Sequence, residues 1–328
     1  MEIKTIQKIF AKFGDLLDSG LGSDVIIEVG KESNIKKFHV HSIVLIAVSP
    51  YFHTAFSSTW VNRVNGNIHF EKPNISPNTF EIILKFIYKA DLDLNRQKTS
   101  DICNLIKASD ELNIDILNEH ILEFVSQNSR KLLNEDPVQI LQVVFQLDIF
   151  SNLRDTFLQI ICKNPEKLMN FSNFHSINKY ILIQLLKRDD LNMEEIKIWY
   201  HLLDWASFNI QDKLNINEIE KWNSGDFALL KDEIKDFIPY IRWFQISGKD
   251  FWYNIKPFKD ALPDDLYDNL LGYYIDKSVK LTSLTILPQR NNPSVKQIHK
   301  GSAKMSKKAP MSMSKKVPTS KSRKIVVI

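Results

Sequence analysis

The strands read from this chain gather within its first 71 residues, and helical periodicity takes over afterwards. Asp24–Val29 (DVIIEV) and Lys36–Val40 (KKFHV) are short runs on either side of the polar stretch 30–34, which predicts a hairpin. Asn67–Glu71 (NIHFE) predicts a third strand. Between them, Ser42–Val48 reads as a helix and Pro50 opens another through Ser57. Ser76-Pro77 supplies a cap and a first-turn proline for a longer helix, in which Phe80, Ile83, Leu84 and Ile87 share one face. Asp101–Val125 carries two more helices broken near Asn113. Strands gathered early and helices thereafter predict an α+β unit rather than alternating βαβ. Ahead of it, Ile6, Ile9, Phe10, Phe13, Leu16 and Leu17 recur at helical spacing over residues 5–18. No local strand covers that apolar face, so a partner is expected there.

A chain of 328 residues with 44% apolar and 25% charged residues is long enough for two cores. The formal charge of +4 hides a division. Eleven of the 43 basic residues and no acid lie in 288–328, leaving 32 basic against 39 acidic residues before it. The body is therefore acidic, near −7. The tail repeats a Ser-Lys-Lys-small-Pro element with little apolar surface, and a disordered basic segment is expected. It lacks the interleaved aromatics that stack on bases, so a solvated tail is expected before a nucleic-acid contact, with nuclear import as the next reading. No apolar run reaches the ~20 residues that span a bilayer, and the start of the chain lacks a secretory core, so a cytoplasmic or nuclear protein with no membrane partner is expected. Cys103 and Cys162 stand in apolar surroundings without a CxxC partner, as reduced packed thiols do. Nothing assembles a nucleophile with its base, a phosphate loop or a carboxylate pair, so no enzyme and no cofactor are expected.

The stretch FHVHSIVLIAVSPYFHTAF (38–56) poses the question of metal chemistry. His39 and His41 straddle a strand end where the chain turns into a helix, so their side chains diverge, and His53 adds no third ligand at a recognised spacing. No metal site is expected. DVIIEV, this stretch, FEIILKFIYKADLDL and ICNLIKASDELNIDILNEHILEFV, in that order, resemble a BTB/POZ domain, a small sheet flanked by helices. Tyr88 is followed two places on by Ala90, where the family pattern has glycine. The resemblance implies that His41 is a packed structural residue at the strand-to-helix corner. It also implies a homodimer in which the first helix packs on the partner, with Ile6, Phe10, Phe13, Leu17 and Asp24 at the interface. Asp24 matches a family aspartate that commonly faces a basic residue, and Ser42 stands in that place.

From Val138 on, VQILQVVFQLDIFSNLRDTFLQIICKNPEKLMN and the following FHSINKYILIQLLKRDDLNMEEIKIWYHLLDWASFN resemble the BACK domain. The matching elements are the Leu-Leu-x-x-Asp-Asp-Leu-Asn turn and Trp205. The expected organisation is BTB/POZ over 1–125, an all-α BACK unit over 130–246 after a break near 128–136, a helical extension over 247–287, and the tail 288–328. The resemblance implies an adaptor that joins a cullin scaffold of a ubiquitin ligase to a protein substrate of unknown identity. The cullin-facing surface would fall on Phe56, Trp60, Val61 and Asn62, where Asn62 replaces a family acid. The segment ILPQR (286–290) is similar to one that precedes a TLDc domain in relatives of this type, and neither TLDc sequence nor Kelch repeats follow it. The alternative is a dimerising scaffold without a ligase role, a shortened relative that pairs with full-length BTB proteins.

Overall fold

The computed structural model describes residues 3–57, 62–210, 214–276 and 287–291. Among these, four strands form one mixed sheet in the order β2-β1-β4-β3. β1 (Val25–Val29) pairs antiparallel with β2 (Lys36–Val40), with Val25 opposite Val40. It also pairs in parallel with β4 (Asn67–Lys72), with Val25 beside Ile68. Val25, Ile27 and Val29 are fully buried, and Ile26 and Glu28 alternate outward, the period-two pattern of a sheet with one face on the core. β3 (Asn62–Val64) was not legible as a strand, yet it closes a hairpin with β4 through Asn65 and Gly66, both at positive φ (52° and 84°). An Asn-Gly pair is the strongest short hairpin signal a sequence carries, so the indication was present in the chain.

Helices cover the sheet. α1 (Ile3–Ser19) precedes β1, and α2 (Ser42–Val48) and α3 (Pro50–Ser57) fill the crossover from β2. α4 (Pro77–Lys89) starts as expected: Ser76 accepts from the Thr79 amide and Pro77 opens the helix. It ends on Ala90 in the left-handed region (φ 49°, ψ 32°), whose amide donates to the Lys85 and Phe86 carbonyls. That is the conformation for which helix C-termini select glycine. The missing family glycine therefore falls where its absence costs backbone energy. α5 (Thr99–Glu111) and α6 (Asp115–Glu135) are separated at Asn113, also left-handed (φ 48°).

The break expected over 128–136 is narrower. α6 continues to Glu135 with only a kink at Asn128, whose side-chain amide donates to the Phe124 carbonyl. The true stop is Asp136, which caps α7 (Pro137–Gln146) by accepting from the Gln139 amide, with Pro137 in the first turn. α8 (Arg154–Lys163), the short α9 (Glu166–Met169), α10 (Lys179–Leu186), α11 (Glu195–Asn209) and α12 (Ser224–Ile234) continue the helical half. Beyond them come α13 (Gly248–Asp250), a π-type turn over Phe251–Ile255, a 3-10 turn and α14 (Asp264–Ile275). Trp199, fully buried on α11, holds this extension: its indole N–H donates to the Asn254 carbonyl, and its ring meets Trp243 and Phe258 edge-on. Trp205 does the same toward the α9–α10 connection, donating to the Ile177 carbonyl.

One expectation needs correction. Residues 288–291 were assigned to the solvated tail, but Leu287–Asn291 is bound to the helical half, with Arg290 only 4% exposed. Composition misled here because the segment is fixed by one side chain and two backbone groups whose partners lie far away in sequence. The expected tail beyond Asn291 lies outside the described residues.

Candidate interaction surfaces

The strand-to-helix corner at His41 is built from the side chains that raised the metal question. His41 is buried, its Nε2 faces the Leu21 carbonyl at 2.9 Å, and its Nδ1 lies 3.1 Å from the Tyr88 hydroxyl. A carbonyl can only accept, so Nε2 carries a proton and donates to Leu21. The Tyr88 hydroxyl also accepts from the His41 amide at 2.9 Å. Both ring nitrogens of His41 are thus engaged within the protein, and burial pushes the Tyr88 phenol up to about 12. His39 lies on the exposed side of β2. Among the described residues no three His, Cys, Asp or Glu side chains converge as a metal would require. Cys103 and Cys162 are buried and free, and burial raises each thiol to about 12, far from the reactive range.

Asp24 solves its satisfaction problem without a cation. Its two carboxylate oxygens accept from the Ser42 amide (2.7 Å) and the Ser42 hydroxyl (2.5 Å). Partial burial works against the charge, but these two bonds hold the carboxyl below its ordinary range. Ser42 thus takes over, by hydrogen bonding at a helix N-terminus, the place of a basic residue.

On α1 the expected interface residues separate into two groups. The helix rests on α4 along one edge, where a Cβ on Gly14 would come within 3.0 Å of the Lys89 side chain and Lys89 binds the Asp18 carboxylate at 2.8 Å. Phe10 and Leu17 are half-buried. Ile6 (38%), Ile9 (46%) and Phe13 (42%) remain exposed on the outer side. Leu21 (73%) and Ile43 (77%) are exposed as well, and the His41–Leu21 bond brings their chain segments to one corner beside Asp24. Sequence reasoning missed Leu21 because it stands alone between glycines, and Ile43 because the continuous apolar run of α2 does not say which of its residues face outward.

The other expected surface is less complete. Phe56 is 5% exposed and packs on Phe52 and Phe70, so it supports α3 from beneath and has no free ring to offer, a correction to its assignment as a contact. Asn62 is exposed at the start of β3. Trp60 and Val61 lie outside the described residues. The outward side of α3 is His53, Thr54 and Ser57. Behind it, Ser49 donates to the Leu112 carbonyl (2.5 Å) and accepts from the Phe52 amide, pinning the start of α3 to the end of α5. Lys72, 5% exposed, joins Tyr51 on α3 to Glu111 on α5; burial opposes its charge, but the bonds to Glu111 and Tyr51 raise its pKa.

Comparison with known proteins agrees with this architecture. The family model for the BTB/POZ domain matches residues 13–129, and that for BACK (BTB And C-terminal Kelch) matches residues 138–219. Similar proteins include Kelch-like protein 25 of Xenopus laevis, 25% identical over 65% of this chain and 34% of the relative. Kelch-like protein 40a of Danio rerio is 26% identical over 61% of this chain and 31% of its own. The chain thus spans about a third of the length of these relatives. Among solved structures, the BTB domain of zebrafish PATZ1 is 26% identical, covering 39% of this chain and 96% of that one, with a TM-score of 0.31. A BTB/POZ domain over residues 13–129, followed directly by a BACK domain over residues 138–219, is therefore what this chain carries.

Proposed function

We propose that the protein is a homodimeric interaction module that acts as a substrate adaptor for a cullin-RING ubiquitin ligase, a binding protein rather than an enzyme. The observation that carries the dimer is the outer side of α1, where Ile6, Ile9 and Phe13 stand exposed in a row. Leu21 and Ile43 extend the patch. Pairing two copies about a two-fold axis buries the same side chains twice and removes them from water. Support for the cullin contact comes from the resemblance at Ser49–Phe52 and from the outward side of α3, which the Ser49 and Lys72 bonds hold in place. The resemblance assigns the contact to Trp60, Val61 and Asn62, with Phe56 as its internal support. We divide the chain accordingly into a BTB/POZ unit, a BACK unit with its helical extension ending at Asn291, and the basic segment beyond, acting in the cytoplasm or nucleus.

A second reading rests on Asn62. An amide replaces the family acid on an exposed strand start, so one charged contact to a cullin is lost. That favours a dimerising scaffold without a ligase role. Light scattering of the purified full chain, alone and with a cullin N-terminal fragment, separates the readings. A dimer that binds the fragment, and binds it more weakly as Trp60→Ala, supports the adaptor. A dimer that ignores the fragment supports the scaffold. A monomer at micromolar concentration, unchanged in size by Phe13→Glu, sinks both.

A further inference from the structure

Leu287–Asn291 forms neither helix nor strand pairing, and yet it contains one of the most completely bonded side chains among the described residues. The Arg290 Nε donates to Glu195 Oε1 at 2.6 Å and Nη2 faces Glu195 Oε2 at 3.5 Å. Nη1 donates to the Leu186 carbonyl at 2.9 Å and to the Arg188 carbonyl, and Nη2 also donates to the Tyr240 carbonyl at 3.3 Å. All five N–H donors of the guanidinium therefore face an acceptor. The acceptors come from three places in the fold: the end of α10, the start of α11 and the turn at Tyr240. Glu195 is itself 7% exposed and accepts from the Arg242 amide as well.

The flanking backbone is held at two points. The Pro288 carbonyl accepts from Arg242 Nε at 2.6 Å, and the Asn291 amide donates to the Asp189 carbonyl at 2.8 Å. Arg242 in turn pairs with Asp189. Leu287 lines a cleft with Ile238, Trp243 and Leu266. A side chain is thus read by shape and charge, and the backbone on each side is read by one hydrogen bond, as when a short peptide is bound by a separate protein. The planar fork matters, since a lysine ammonium has three donors and no plane to match acceptors spread on three sides.

We propose that the pocket around Glu195 is an arginine-peptide site of the BACK unit, filled in cis by the chain's own Leu287–Asn291, which acts as a releasable strap across α10, α11 and the Tyr240 turn. Emptying it strands the Glu195 carboxylate, so the site is expected to accept a guanidinium again when one is offered. The test uses the full chain carrying Arg290→Ala and a fluorescent peptide of sequence Leu-Pro-Gln-Arg-Asn. The variant is expected to melt below the wild type, to bind the peptide and to regain thermal stability with it, while the wild type binds at least about tenfold more weakly. A peptide with lysine in place of arginine should lose at least about tenfold in affinity. Ethylguanidinium, but not ethylammonium, should raise the melting temperature of the variant. If Arg290→Ala does not fold, Arg290→Lys keeps the charge and is put through the same measurements. Equal binding by variant and wild type, or equal binding of the arginine and lysine peptides, overturns the proposal.

Discussion

Two corners of this protein each hold a carboxylate, one open to water and one buried, and they are satisfied in opposite ways. In the BTB unit, Asp24 is met by the amide and hydroxyl of Ser42, and the neighbouring His41 is met by a neutral tyrosine. In the BACK unit, Glu195 is met by Arg290, which is 95 residues away in the chain. The first corner is assembled from segments that the sheet brings together in any case, and it uses neutral donors. The second depends on a single distant cation reaching a dry pocket. Neutral local bonding is cheap to form and modest when lost, whereas a buried ion pair is costly to break because the surviving charge is stranded.

The contrast can be broken most forcefully at Glu195. Glu195→Ala leaves Arg290 and Arg242 side by side in a buried place, and a loss of about 3 to 5 kcal/mol in unfolding free energy is expected from chemical denaturation. A loss no larger than that of Asp24→Ala would show that the two corners are alike. Next in size is Tyr88→Phe, which removes the hydroxyl shared by the His41 amide and ring. About 1 to 3 kcal/mol should go, with the fold retained in circular dichroism. The third runs the other way: Ala90→Gly relieves a left-handed residue and should stabilise the BTB unit by about 0.5 to 1 kcal/mol after allowing for the freer unfolded chain. No gain would mean that the α4 terminus is unstrained.

The smallest effect lies in pH. The folded-state pKa of Asp24 is held below its ordinary 3.8, so its bonds to Ser42 contribute fully above that value and fade as the pH drops through the lowered pKa. The stability difference between wild type and Ser42→Ala should accordingly be constant near neutrality and narrow in acid. A difference that widens in acid would reverse the assignment.

Much of the fold was legible because local rules and tertiary packing agree. The limits of α2 and α3, the capped start of α4 at Ser76-Pro77 and the break at Asn113 follow from proline, capping and turn chemistry within a few residues. β3 escaped because three exposed residues give no alternation to detect, although Asn65-Gly66 marked its turn. Phe56 escaped for a different reason: the periodicity of α3 does not say which edge faces the sheet, and Phe52 and Phe56 both turn in. The Arg290 pocket was beyond reading, since its acceptors are mostly backbone carbonyls, which every residue has. Of the candidate surfaces, the apolar row on α1 was visible in advance, while its extension through Leu21 and Ile43 depends on the His41 bond that brings those segments together.

The parallel ladder between β1 and β4 also sets the timing of assembly. β1 finds its second neighbour only after α2, α3 and β3 have been strung between the two strands, so the closure entropy of that crossover is spent before most of the sheet's contacts return anything. During synthesis the hairpin of β1 and β2 must wait with one edge bare until Lys72 has cleared the ribosome, and that interval is when the BTB unit is most open to pairing with the wrong strand.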